Sequence, residues 1–177
     1  MNKVRVATIW LSGCSGCHMS FLDQDEFLLE LAKLVHFVYS PLIDVKEFPE
    51  NVDITIVEGA VGNEEQLELL ESARKRTKQL IALGDCAVHG NVTSLRNALK
   101  KGDRAVLERA YLELADTTPQ LPTDVSPLLK KAYPLNEIVE VDHFIPGCPP
   151  PAPLIKYVLT ELLAGRKPVM ENKAKFG

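Results

Sequence analysis

The stretch VRVATIWLSGCSGCHMSF, residues 4–21, opens as a strand and closes as a helix, with two cysteines at the turn between them. Residues 4–11 mix alternation with β-branched side chains, which is strand character, and Gly13 and Gly16 interrupt that pattern around Cys14 and Cys17. From about residue 16 to 35 apolar residues recur at helical spacing, with Phe21, Leu28, Leu31, Leu34 and Val35 available to a buried face. A strand that runs through a short glycine-bearing turn into a helix is half of a βαβ unit, and the remaining chain decides whether the unit repeats.

HFVYSPLI (36–43) reads as a second, less regular strand, and VDITIVEG (52–59) as a third, short and largely apolar as buried parallel strands are. NEEQLELLESARKR (63–76) is helical, QLIALGDC (79–86) is a fourth strand running into a turn, and residues 92–115 are helical with an interruption near Gly102. EIVEVDHFIPGC (137–148) supplies a fifth strand, and APLIKYVLTELLAG (152–165) a last helix stopped by Gly165. Residues 117–136 carry four prolines and little periodicity, marking an irregular surface excursion of the kind that more often serves function or a partner than neither. Strand alternating with helix predicts an α/β fold: a doubly wound parallel sheet of about five strands, the flavodoxin-like variant, in a single domain over 1–177.

With 177 residues, 46% of them apolar and 25% charged, the chain can bury one substantial core. A formal charge of -4 argues against a nucleic-acid surface, which needs a basic excess or stripe. The cluster RKRTK (74–78) follows an acidic helix start, so it reads as a solvated helix end favoured by the dipole. No window approaches the roughly 20 apolar residues of a membrane span, and the N-terminal run lacks a secretory core, a cleavage site and paired arginines. The expectation is a cytoplasmic chain without direct membrane insertion. Its four cysteines then point to metal or catalysis rather than to structural disulfides.

Cys14 and Cys17 follow the first predicted strand, Cys86 the fourth and Cys148 the fifth. In an open parallel sheet the carboxyl ends of all strands lie on one edge, where ligands bind, so topology alone gathers these distant residues. CSGCH has the letters of a c-type haem site, with His18 as axial ligand, but that reading leaves Cys86 and Cys148 idle and suits an exported protein. A redox disulfide at a helix start leaves the same two idle. Four-thiolate zinc uses all four, yet zinc modules gather paired C-x-x-C knuckles at short spacing, and here one knuckle joins two isolated cysteines. A [4Fe-4S] cube accommodates thiolates from three separate strand ends. Gly13, Gly16, Gly84 and Gly147 beside the ligands would let backbone N–H groups approach the sulfurs, and PGCPPPAP (146–153) would fix the last one rigidly.

CSGC after strand one, VEGA after strand three, GDCA after strand four and PGCPP after strand five resemble, in order and place, the motifs of nickel-iron hydrogenase small subunits. The resemblance spans essentially the whole chain. It implies that Cys14, Cys17, Cys86 and Cys148 hold the proximal [4Fe-4S] cluster beside a large subunit carrying the nickel-iron centre. No cysteine follows Cys148, whereas longer small subunits add further clusters. That departure points to the bidirectional cytoplasmic class, whose NAD-linked members pass electrons on to a diaphorase module with further iron-sulfur clusters and flavin. The complex I subunit of the same fold characteristically has adjacent cysteines in its first motif; here two residues separate them. A flavodoxin-type FMN carrier is the other alternative, but cysteines occupy the loop that would grip the phosphate, and nothing in the chain supports FMN in this subunit.

Glu58 ends an apolar strand at the ligand edge, and the resemblance places such a glutamate at the interface with the catalytic subunit. There it would relay protons or touch the cluster; a strand-end carboxylate in water is the plain alternative. Trp10 reads as ordinary strand packing rather than a shield over the cluster. His36, His89 and His143 lack a second ligand at metal spacing, while Asp85 and Asp142 serve turns or support the ligands.

Overall fold

The computed structural model describes residues 3–171 and 173–174. Five strands form a parallel sheet: β1 (Val4–Trp10), β2 (Val35–Tyr39), β3 (Val52–Glu58), β5 (Thr77–Leu83) and β7 (His143–Ile145), in the spatial order β2-β1-β3-β5-β7. A two-stranded antiparallel ribbon, β4 (Val61–Asn63) with β6 (Leu128–Tyr133), stands beside it. The strand order reverses between β1 and β3, as a flavodoxin-like sheet requires.

Alternation along the strands divides the core into two layers. Val6, Ile54, Ile56, Ile81 and Leu83 face one side, against α1 (Gly16–Leu22), α2 (Phe27–Leu34) and α6 (Ala152–Leu163). Ala7, Ile9, Val57, Leu80 and Ala82 face the other, where α3 (Glu64–Arg76) lays down Leu70 and Ala73. Helix α6 is amphipathic in the expected way, burying Leu154, Ile155, Val158, Leu159 and Leu162. Gly165, at φ +69, ends it, with its N–H on the Leu162 carbonyl. Helix α3 starts where Asn63 Oδ1 accepts the Gln66 N–H at 2.8 Å and carries acidic residues first and basic ones last.

Register then aligns the strand ends. Trp10 pairs with Glu58, Glu58 with Leu83, and Leu83 with Ile145, so four strands reach the same edge in one row. At the opposite edge Arg74, Arg76 and Lys78 of the basic cluster are taken up by local contacts. Arg74 donates to Asp142 at 2.6 Å and to the Thr77 carbonyl, Arg76 to the Phe48 carbonyl, and Lys78 to Asp53. Asp142 also accepts the Leu80 N–H. Burial alone would raise its carboxyl, but these donors hold it below the usual range. It precedes β7, away from the cysteines, and braces the sheet.

Five expectations need correction. The helix expected over 16–35 is two helices, because Asp25 takes a left-handed conformation in the polar segment LDQDE, and Val35 already belongs to β2. Leu34, expected inside, is 56% exposed. The region 92–115 begins as a 3-10 helix, Asn91–Ala98, before α5 (Gly102–Glu108) and a π turn, Arg109–Glu113. The proline-bearing excursion is not irregular throughout: its second half is β6, which the sequence hides because Lys130 and Lys131 are both exposed and break the period of two. The fifth strand is only three residues long. No helix among the described residues is long and apolar enough to cross a membrane.

Candidate metal centre at the carboxyl edge

The loop after β1 is pinned over the end of β3. Leu11 donates to the Glu58 carbonyl, and Ser12 and Ala60 exchange both backbone bonds. The fit is close enough that Gly59, at φ +90, could take no Cβ: the atom would lie 2.8 Å from the Leu11 carbonyl carbon. This brace sends Cys14 and Cys17 over the sheet edge and into α1.

The loops after β5 and β7 are clasped to each other. Gly84 donates to the Ile145 carbonyl, Asp85 N–H to the Gly147 carbonyl, and Asp85 Oδ1 accepts the Gly147 N–H at 2.7 Å. Asp85 is fully buried, and the bonds extend the β5–β7 ladder beyond the strands. Cys86, in the short helix α4 (Asp85–His89), is thereby set beside Cys148. Ser20 Oγ donates to the Pro150 carbonyl at 2.5 Å, which ties α1 to the same proline segment. Three loops thus close around one place. The amides of Gly84 and Gly147, expected to approach the sulfurs, are committed instead to Ile145 and Asp85.

The four cysteines lie within electrostatic reach of one another. Cys17 is buried, Cys86 half-buried, and Cys14 and Cys148 exposed. Burial pushes the Cys17 thiol far up, and negative charge on Glu58, Cys86, Cys14 and Cys148 adds to it. Burial also raises Cys86, with Cys148 and Cys14 contributing and hydrogen bonds from Thr93 opposing. Thiolates packed this closely repel each other unless cations sit among them, which is the chemistry of a soft-metal site. Among the described residues no three His, Cys, Asp or Glu side chains converge tightly enough for one ion. The donor set, four sulfurs from three strand ends, is of the kind that holds a polynuclear thiolate-bound centre.

Glu58 is not in water. It is 1% exposed, and its Oε2 accepts both the His18 backbone N–H at 2.8 Å and His18 Nδ1 at 2.5 Å. The pair anchors the start of α1, and with it Cys17, to the end of β3. His18, itself buried, stacks on Trp10 at 5.7 Å between ring centroids and leaves Nε2 without a partner among the described residues. Trp10 is 41% exposed, so the expectation of ordinary strand packing does not hold; it covers His18 at the rim of the edge. Sequence reasoning missed Asn91, whose Nδ2 lies 3.4 Å from Cys148 Sγ, and Thr93 beside Cys86. The signal was Gly90, at φ +91, which turns the chain back toward the cysteines just after α4.

Known proteins share the sequence and fold of this chain. Residues 14–162 match the family described as NADH ubiquinone oxidoreductase, 20 Kd subunit. The chain is 43% identical over 171 residues to subunit delta of the NAD-reducing hydrogenase HoxS of Cupriavidus necator, covering 93% of this chain and 81% of that one. It is 39% identical over 174 residues to a subunit of the F420-non-reducing hydrogenase of Methanothermobacter marburgensis, which covers 94% of this chain but only 55% of that longer protein. A chain in the crystal structure of an NAD+-reducing [NiFe]-hydrogenase in the H2-reduced state superposes with a TM-score of 0.90 at 41% identity, each chain covered to 95%. An H2-activated [NiFeSe]-hydrogenase of Dm. baculatum shares the fold at a TM-score of 0.58 and 14% identity. The chain belongs to the family of the NADH ubiquinone oxidoreductase 20 Kd subunit and, within it, to the hydrogenase small subunits.

Proposed function

We propose that this chain carries single electrons between the nickel-iron site of a hydrogenase large subunit and a diaphorase module. The coupled reaction is reversible oxidation of dihydrogen with reduction of NAD+. The observation that carries the reading is the convergence of Cys14, Cys17, Cys86 and Cys148 at one sheet edge, two of them exposed where a partner would meet them. Its similarity to an NAD-reducing hydrogenase subunit supports the acceptor. Bound by those four thiolates, one [4Fe-4S] cluster would supply one-electron chemistry, a role for which cube potentials span a wide range. The residues of this chain hold it in place: Asp85 locks the Cys86 and Cys148 loops together, and the Glu58–His18 pair sets the helix bearing Cys17. The chain breaks no substrate bond itself and works in the cytoplasm, within a complex that also holds flavin and further iron-sulfur clusters. The complex purified with nickel is expected to show broad visible absorption that dithionite bleaches. A colourless chain, or resolved haem or flavin bands alone, rejects the assignment.

Glu58 is the candidate proton carrier at this edge, passing a proton through Oε2. Glu58→Gln is expected to slow hydrogen/deuterium exchange by about a hundredfold or more, within the usual range for a positioned acid or base. Unchanged exchange leaves Glu58 as a clamp only. Glu58→Ala strands the buried His18 N–H and ring, and should lower stability by about 3 kcal/mol in a denaturant titration, as loss of one partner of a buried pair does.

A further inference from the structure

The 3-10 helix Asn91–Ala98 is unusual in two ways. It runs for eight residues, when such helices rarely exceed a turn, and it buries none of them. Its hold on the molecule comes from side chains. Asn97 exchanges two bonds of 2.8 Å with the backbone of Ala132 in β6, and Arg96 donates to the carbonyls of Lys130 and Gly62. In a 3-10 helix side chains three apart eclipse, so Val92 and Leu95 form one row. They are 63% and 70% exposed, and Leu99, 51% exposed, lies just past the helix in extended backbone. Apolar side chains held rigidly outward by polar ties are what a protein interface looks like before it is covered.

Leu99 lines a groove of about 540 Å³, whose walls also include Lys101, Arg104, Lys130 and Lys131. Lys100 stands beside it in the chain. The charges that oppose them are Asp103, in the same wall, and Glu108, which pairs with Arg104. The four lysines have no ion-pair partner among the described residues. Such a concentration is conspicuous in a chain of net charge -4. The groove offers long exposed cationic stems, whereas a compact anion is usually held by converging backbone amides. At its other end the same helix begins with Asn91, whose amide reaches Cys148 Sγ.

We propose that the exposed Val92 and Leu95, with the groove of Leu99 and the lysines, together form the docking face for an electron-exchanging protein partner with an acidic surface around an apolar centre. The proposal rests on the electron-transfer reading above and names where the electron leaves or enters on the side of Cys148. The lysines steer and orient the partner, and the apolar row excludes water at the contact.

The test uses the whole hydrogenase complex carrying Lys101→Glu, Lys130→Glu and Lys131→Glu together, and separately Leu95→Asp. Hydrogen-dependent NAD+ reduction by the triple variant is expected to fall by about tenfold or more at low salt and to lose its decline with ionic strength. Hydrogen-dependent reduction of a small viologen dye should stay within about twofold of the wild type, as expected of rim charges that act on association alone. Leu95→Asp should shed the diaphorase module in gel filtration while keeping the large subunit. Unchanged NAD+ reduction and module retention overturn the proposal, as does parallel loss of dye reduction and of the large subunit. Inhibition of the wild type by pyrophosphate with the module still bound would make the groove a small-anion site and equally overturn it. A wild-type complex without hydrogen-dependent dye reduction fails the functional reading instead; retention of the acidic partner would still judge this face.

Discussion

Gly84→Ala is expected to empty the metal centre and unsettle the fold in one step. Gly84 has φ +83 and ψ 161, a backbone region essentially reserved for glycine. A Cβ there would lie 2.2 Å from Cys17 Sγ, and Cys17, in the first turn of α1, is buried. Backbone strain and overpacking together should cost about 3 kcal/mol or more, measured by denaturant unfolding. Because the displaced atom is a proposed ligand, iron and sulfide content should fall with the stability. Gly165→Ala makes the control: its φ of +69 is also positive, but a Cβ there meets nothing within 4 Å. It should cost about 1 kcal/mol of strain and leave the iron content intact. Gly84→Ala with full iron would mean that Cys17 is not a ligand.

Cys86→Ala should separate the cofactor from the fold. The side chain is only half-buried, so truncation ought to cost the folded chain about 1 kcal/mol. The visible absorbance that dithionite bleaches, and electron transfer to NAD+ or a dye, are expected to disappear. A purified variant that retains both refutes the four-cysteine assignment. The contrast is informative: Gly84→Ala acts through steric displacement, Cys86→Ala through the missing sulfur alone.

The sheet's parallel order, its strand ends and the grouping of Cys14, Cys17, Cys86 and Cys148 were legible in the sequence. They depend on local periodicity and on a topological rule, which a single chain displays directly. The limits of elements were less legible. Asp25 splits a helix whose apolar spacing runs on unbroken, and β6 exists because β4 offers it a ladder, although Lys130 and Lys131 do not alternate with buried residues. Pairing partners supply such strands with their reason, and partners distant in sequence leave no local mark.

The sequence by itself determined which four cysteines lie near one another at the carboxyl edge, because every parallel strand ends on the same side of its sheet. Only the tertiary structure decided that Glu58 is buried against His18, that Asp85 rather than a sulfur takes the Gly147 amide, and that Leu99 lines one groove with Lys101, Lys130 and Lys131. These are contacts between loops whose geometry follows from packing of several elements at once. The physical reason is that hydrogen bonds and burial depend on distance in space, while periodicity records only distance along the chain.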